Sequence, residues 1–205
     1  MSDVDWTAQL AEQLDWHWRS QLRPRLEGLT DAEYRWEPVT GAWNVRPRGT
    51  SSAPMTGGSG EFIIEFARPA PDPPPVTTIA WRIGHLTVGV LGMRVAAHFG
   101  GPPDDYMSHD YPGDADTALA QLDSAYGLWV AGVRGLGPDD LARPCGPAEG
   151  PRADQPMAAL VLHINREMLH HGAEIALLRD LYLWGYGADE RRLLVWQDGG
   201  AAAPL

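Results

Sequence analysis

The sequence contains a single cysteine and no lysine. Cys145 lies in the turn-rich stretch ARPCGPAEGP, so an internal disulfide and a cysteine-based zinc site are both excluded. A metal site in this chain must therefore be built from histidine and carboxylate side chains. Basic residues are also scarce: 16 arginines stand against 27 acidic residues, and the net charge of -11 repels phosphate over most of the surface. We therefore expect no binding to nucleic acid.

Long hydrophobic runs are missing as well. No stretch approaches the roughly 20 apolar residues that a membrane span needs, and the opening MSDVDWTAQLAEQ lacks the basic and apolar regions of a secretory signal. We therefore expect a cytoplasmic protein that does not contact a membrane. With 205 residues, of which 44% are hydrophobic, the chain can bury one core, so we expect a single domain over residues 1–205.

Four segments have apolar residues at helical spacing and predict an all-α fold. The first covers residues 4–28, the second residues 79–99, the third residues 116–136 and the fourth residues 157–184. In the first segment one face carries Trp6, Leu10, Leu14, Trp18 and Leu22. The fourth segment runs for about 28 residues without proline, which predicts one long helix.

Proline- and glycine-rich stretches separate these segments. Residues 41–75 predict a long irregular insertion between the first two helices, with at most a small hairpin at EFIIEF. A second such loop follows the third helix. The tail, residues 185–205, contains LLVW and is expected to pack back on a core formed by residues 4–184.

One face of the fourth helix carries several metal-ligating residue types. At about 100° per residue, His163, Glu167 and His171 step around the helix by only about 40° each, and His170 and Glu174 fall in the same sector. Burying unpaired imidazoles and carboxylates is costly, so this face must meet solvent, partner charges or a metal ion. The i, i+4 spacing of Glu167 and His171 allows both to bind one ion, by the geometry of the helical two-histidine metalloprotease motif.

Two ligands on one helix leave a metal ion under-coordinated, so a third should come from a facing helix. His85 is the best candidate because it lies inside the second helix among apolar residues. Two alternatives to a metal site remain. A lone interior histidine is more often a hydrogen-bonded core residue, and His/Glu pairs at this spacing also occur on solvated helix faces.

Several motifs together resemble one family. They are IAWRIGHL in the second helix, HINREMLHHGAEIALLRDLY in the fourth, and LTDAEYRWEP and GAWNVRP after the first. In this order they resemble the DinB-like (DinB/YfiT) superfamily of metal-binding four-helix bundles. The likeness covers residues 5–184, with residues 50–75 as an insertion. It implies a DinB-like four-helix bundle with a long irregular insertion between helices one and two.

The resemblance also implies a ligand set. Members of the family usually have one histidine on helix two and two more at i, i+4 on the last helix, which maps helix two onto His85. On helix four, alignment to the family on the LLRDLY pattern pairs Glu167 with His171, whereas alignment on Gly172 would pair Arg166 with His170. We prefer the first pairing because arginine is no ligand.

Two substitutions within this ligand set stay open. His163 could take the place of Glu167 or line the pocket, and His170 could replace His171. Zinc and nickel both suit imidazole and carboxylate ligands, so either is the expected metal.

The function implied by the resemblance is a metal-dependent S-transferase or isomerase that uses a low-molecular-weight thiol. The lysine-free composition is typical of a high-GC genome and favours mycothiol. The thiol would be exogenous because Cys145 lies in a loop with no obvious path to the site, and His163 or His170 would move protons. We also expect a small-molecule substrate and a homodimer. The alternatives are a metal-dependent hydrolase and a non-catalytic stress protein that binds a metal or small molecule.

Overall fold

The structure is a computed structural model that describes residues 4–186. The tail with LLVW lies outside the described residues, so its packing on the body stays a prediction. Within residues 4–186 the chain is mostly helical with one small sheet, which confirms the all-α class in outline. No helix in this part of the chain is long and apolar enough to cross a membrane.

The first helix, α1, is longer than one regular α-helix. It comprises Trp6–His17, a π-helical turn Trp18–Leu22 and a last turn Arg23–Arg25. Asp5 caps its start, since the side chain accepts a hydrogen bond of 3.0 Å from the amide of Ala8. Of the predicted apolar face, Leu14, Trp18 and Leu22 are buried, Leu10 is half-buried and Trp6 is 64% exposed.

A short helix α2, Asp31–Tyr34, follows α1 and begins with a capping box. The Thr30 hydroxyl accepts a hydrogen bond from the amide of Glu33, and the Glu33 carboxylate accepts one from the amide of Thr30. The same carboxylate forms a two-pronged ion pair with Arg179, at 2.6 and 3.2 Å. This buried pair fixes α2 to the last helix.

The insertion forms a three-stranded antiparallel sheet instead of the expected hairpin. Its strands are β1 (Val45–Pro47), β2 (Met55–Gly57) and β3 (Phe62–Phe66), and β3 lies in the middle. Ile63, Ile64 and Glu65 are all buried. Because β3 is covered on both faces, apolar and polar residues do not alternate in its sequence. The alternating pattern that predicts a strand is therefore missing, and the sheet could not be predicted from it.

Glu65 joins the sheet to the segment before it. Its carboxylate accepts hydrogen bonds from Arg46 Nε at 2.9 Å, from the amide of Asn44 at 2.9 Å and from the Ser51 hydroxyl at 2.5 Å. Its backbone oxygen accepts a bond of 2.7 Å from the indole Nε1 of Trp81, which lies on the next helix. A buried carboxylate with this many donors is well compensated for its loss of water.

Helix α3 is the second long helix and carries a wide middle section. It comprises Ile79–Gly84, the π-helical segment His85–Gly92 and Met93–Phe99. Thr78 caps it, with its hydroxyl 3.2 Å from the amide of Trp81. Gly100 ends it in the left-handed conformation, with φ of 67°.

The remaining helices complete the body. They are α4 (Ala115–Arg134), α5 (Pro138–Ala142) and α6 (Met157–Leu181, extended by a π-helical turn Tyr182–Tyr186), with a 3₁₀ segment Pro147–Arg152 before α6. Among the described residues, α1, α3, α4 and α6 pack around one apolar core, and the sheet packs against α3. The contact of α3 with α6 positions the candidate site.

Candidate metal centre

His85, Glu167 and His171 lie together where α3 packs against α6. His85 begins the π-helical segment of α3, and the other two lie one turn apart on α6. Their candidate ligand atoms all lie within 4.8 Å of one another. Nε2 of His171 lies 3.4 Å from Oε2 of Glu167, and the rings of His85 and His171 are nearly perpendicular with centroids 4.8 Å apart. The structure thus brings the three predicted ligands to one point, and their binding of an ion stays a prediction.

His85 is held by aromatic neighbours on both sides. Its Nδ1 lies 2.6 Å from the Tyr106 hydroxyl, and its ring stacks on Trp81 with centroids 5.3 Å apart. Burial, followed by the nearby charges of His171 and Arg82, lowers the pKa of His85 to about 3. The imidazole is therefore neutral at neutral pH, the form that binds metals. With Nδ1 engaged by Tyr106, Nε2 is the nitrogen left to act as a ligand.

His171 is held in a similar way by a carboxylate. Its Nδ1 lies 2.6 Å from Oε2 of Glu174 and 3.1 Å from Nη1 of Arg82, whose Nε lies 3.1 Å from the same carboxylate oxygen. Arginine can only donate, so Nδ1 cannot accept from Arg82 while it donates to Glu174. We assign the Nδ1 proton to the Glu174 contact because it is shorter and Arg82 already pairs with that carboxylate. This fixes the tautomer in which Nε2 is the metal-binding atom.

Glu167 lies between two histidines of its own helix. Oε2 faces His171, and Oε1 lies 3.3 Å from Nδ1 of His163. Burial lowers the pKa of His163 and outweighs the opposite effect of the Glu167 carboxylate. His163 is therefore neutral at neutral pH and directly adjoins the predicted ligand set.

The alternative pairing of Arg166 with His170 lies on the outer side of α6. Both side chains are 65% exposed. Nε2 of His170 lies 3.5 Å from Oε1 of Glu174, so His170, His171 and Glu174 form a second, outer group of possible ligands within 4.8 Å of one another. His171 belongs to both groups, and only the inner group includes a residue of α3.

A sequence profile of the DinB superfamily matches residues 13–175, which is most of the chain and includes all the predicted site residues. The chain belongs to the DinB superfamily. No curated protein and no solved structure matches it. DinB proteins are typically metal-binding, and the His/Glu cluster of this chain is able to hold an ion. The metal, the reaction, the substrate and the homodimer stay predictions.

Two pockets adjoin this DinB site, one at His85 and one at His163. One of about 550 Å³ has His85, Trp81 and Tyr106 in its wall. The other, of about 280 Å³, is lined by His163 and Cys145 among others. Cys145 therefore shares a pocket with His163, which its place in a loop did not indicate. Burial, and then the Glu149 carboxylate, raise the pKa of its thiol, so it is protonated at neutral pH and is a poor nucleophile.

Sequence reasoning missed the residues of this DinB site that hold the ligands in place. Glu174 lies in the sector of α6 already recognised, but its bond to His171 could not be read from spacing. Arg82 lies three residues before His85 and so on the same side of α3, which is a usable signal. Tyr106 lies in the loop between α3 and α4, and its contact with His85 could not be predicted from the sequence because the course of a loop depends on tertiary packing.

Proposed function

We propose that this DinB-superfamily protein is a metal-dependent S-transferase or isomerase that uses a low-molecular-weight thiol of the mycothiol type, on a four-helix-bundle scaffold. The observation that carries the proposal is the convergence of His85, Glu167 and His171, with both imidazoles oriented by other side chains. Zinc or nickel suits these ligands. When bound, such an ion supplies Lewis acidity that lowers the pKa of a thiol or a water molecule.

The donor set supports a divalent ion in its charge and its number. Two neutral imidazoles and one carboxylate leave part of a double positive charge uncompensated, and three protein ligands leave a position for a further molecule. Tyr106 and Glu174 fix the two rings before any ion arrives. A site with preoriented ligands loses less conformational entropy when it binds.

Two histidines are suited to proton transfer. His163 is neutral at neutral pH and lines the smaller pocket, so it can accept the proton of a thiol that enters there. His170 is exposed and lies 3.5 Å from Glu174, which in turn contacts His171, so it can pass a proton between this group and water. We assign the first role to His163 and keep His170 as the alternative.

The two pockets favour a reaction with two substrates. The smaller one has polar side chains such as His163 and Arg94 in its lining, whereas the larger one is mostly apolar and borders His85. A thiol in the first would lie beside His163, which contacts Glu167, and an electrophile in the second would lie beside His85. The metal-dependent hydrolase is the second candidate, because a bound water would occupy the same open position.

Metal content is the first test. We expect the purified protein, loaded with zinc or nickel and desalted, to retain one ion per chain. His171→Ala should lose it, whereas the exposed neighbour His170→Ala should keep it. Elemental analysis of the three proteins measures this directly. Loss of the ion from His170→Ala would show that the outer group of ligands is the relevant one, and retention of the ion by His171→Ala would contradict both groups.

Thiol consumption is the second test. The metal-loaded protein should speed the reaction of mycothiol with an electrophile such as 1-chloro-2,4-dinitrobenzene, and His85→Ala should abolish the increase. Loss of free thiol is followed with a thiol reagent. If ester substrates are hydrolysed without thiol consumption, the hydrolase is the correct function. If the ion is stoichiometric and neither reaction occurs, the protein is a non-catalytic binding module.

A further inference from the structure

The pocket of about 550 Å³ beside His85 has walls from three separate parts of the chain. Residues of β2 and β3 form one wall, α3 forms the second and the loop before α4 forms the third. Its apolar and aromatic lining consists of Met55, Ile64, Phe66, Trp81, Met93, Tyr106 and Met107. The volume lies within the range of roughly 300–1,000 Å³ that is usual for small-molecule sites. The pocket therefore has room for a molecule with one or two rings.

The lining favours an aromatic occupant. Met55, Met93 and Met107 make up half of the chain's six methionines. Thioether side chains adapt to irregular shapes and make favourable contacts with ring edges. Trp81 and Tyr106 present rings on either side of His85, with centroids 5.3 and 6.3 Å from its own. Flat rings in this arrangement favour an offset-stacked guest.

The polar atoms of these rings are already used. The indole Nε1 of Trp81 donates to the backbone oxygen of Glu65, and the Tyr106 hydroxyl is bonded to His85. Gly89 makes room for Tyr106, because a Cβ there would lie 1.8 Å from the Tyr106 hydroxyl oxygen. Both polar groups are thus already bonded, and the two rings line the pocket beside His85.

The charges in the wall disfavour an anion. Glu65 and Asp105 are the two carboxylates of the lining. Asp105 accepts hydrogen bonds from the amides of Met107 and Ser108, which lower its pKa and keep it ionised. The one arginine of the lining, Arg68, is exposed. The Glu65 carboxylate is paired with Arg46, and Asp105 is exposed like Arg68, so the wall offers an anion no excess of positive charge and a neutral guest fits better.

From these observations we propose that the pocket binds a neutral aromatic molecule with one end beside His85, and that the inserted sheet determines which molecules fit. The sheet supplies Met55, Ile64 and Phe66, so its sequence sets one wall. That this molecule is the electrophilic substrate rests on the function proposed above. The binding itself does not, and it can be measured without a metal or a reaction.

The test uses the neutral fluorescent probe N-phenyl-1-naphthylamine with the full chain, both metal-free and metal-loaded. We expect saturable binding to one site, with energy transfer from tryptophan. Met93→Gln should weaken it roughly tenfold, because it places an amide without a partner in an apolar wall. Leu162→Gln serves as the matched control, since Leu162 lines a larger apolar groove of about 1070 Å³ on α1, α5 and the start of α6.

The control decides between the two apolar sites. Weaker binding in Leu162→Gln with no change in Met93→Gln would place the probe in the groove and overturn the proposal. A sulfonated analogue, 8-anilinonaphthalene-1-sulfonate, should bind the same pocket at least severalfold more weakly, and equal affinity would overturn the assignment of a neutral guest. His171→Ala should bind the neutral probe as well as wild type.

Probe binding and thiol consumption, measured together, separate the two proposals. If the probe binds as expected but no thiol is consumed with any electrophile, the proposed function fails and the pocket assignment stands. If thiol is consumed and Met93→Gln alters neither probe binding nor the rate with an aromatic electrophile, the function stands and the pocket assignment fails.

Discussion

The hydroxyl of Tyr106 contacts a predicted ligand without being able to bind the ion itself, because His85 lies between them. It lies 2.6 Å from Nδ1 of His85, and burial raises the pKa of Tyr106 to about 12, so the phenol stays protonated. When His85 binds an ion through Nε2, Nδ1 carries a proton and donates it to the tyrosine oxygen. Tyr106→Phe removes this acceptor and leaves the ring otherwise in place.

The expected loss follows from the position of that hydrogen bond. Outer partners of metal-binding histidines are worth roughly 10–100-fold in metal affinity, which corresponds to about 1.4–2.8 kcal/mol. The Nδ1 proton of His85 would be left buried without an acceptor, so we expect Tyr106→Phe to lie within this range. The metal-free protein should lose only about 1 kcal/mol of unfolding free energy, the net value of one hydrogen bond.

Zinc competition with a chromophoric chelator measures the affinity, and urea denaturation of the metal-free protein measures the stability. Tyr34→Phe is the control, because it removes a buried hydroxyl bonded at 3.2 Å to the backbone oxygen of Pro112, away from the site. We expect Tyr34→Phe to lower stability without changing zinc affinity. Equal zinc affinity in Tyr106→Phe and Tyr34→Phe would refute the role of Tyr106 as a positioning residue for His85.

Two further predictions concern stability and packing. Burial raises the pKa of Asp15, but hydrogen bonds from a tyrosine hydroxyl and Arg134 outweigh burial, so the pKa lies below its usual value of 3.8. The ionised Asp15 therefore stabilises the fold above its unfolded-state pKa, and this stabilisation is lost as the pH falls through its folded-state pKa. Asp15→Asn should therefore lower the unfolding free energy by about 2 kcal/mol at neutral pH, and the difference from wild type should shrink in acid. Urea denaturation at both pH values measures this difference, and an equal difference at the two pH values would contradict the prediction. Gly89→Ala should displace Tyr106 and lower zinc affinity, whereas Gly127→Ala, with open space around its Cβ, should leave zinc affinity unchanged and raise stability by about 0.5–1 kcal/mol.

The inner part of the site could be predicted because it depends on local geometry. The i, i+4 spacing of Glu167 and His171 fixes their common face once the segment is helical, and His85 is the interior histidine of the facing helix. The residues that orient these ligands could not be predicted from the sequence. Tyr106 arrives from a loop, and the choice of Glu174 as partner depends on side-chain rotamers.

The fold shows the same division between local and long-range information. Thr30 and Thr78 cap the starts of α2 and α3, and such caps are local signals because capping acts within one turn. The sheet was underestimated because β3 is buried in the middle of it and therefore lacks the alternating pattern of a half-exposed strand. The wide π-helical segment of α3 was also not foreseen, since the apolar spacing of residues 79–99 predicts a regular helix.

The bonds of Glu65 determine how the sheet could be transferred to another protein. Its carboxylate is held by Arg46 and Asn44, which precede residues 50–75, and by Ser51, which lies within them, and its backbone oxygen holds Trp81, which follows them. A graft of residues 50–75 alone would therefore bring the buried acid with only one of its three donors. A graft of residues 44–81 would carry the acid, all three donors and the indole that it orients.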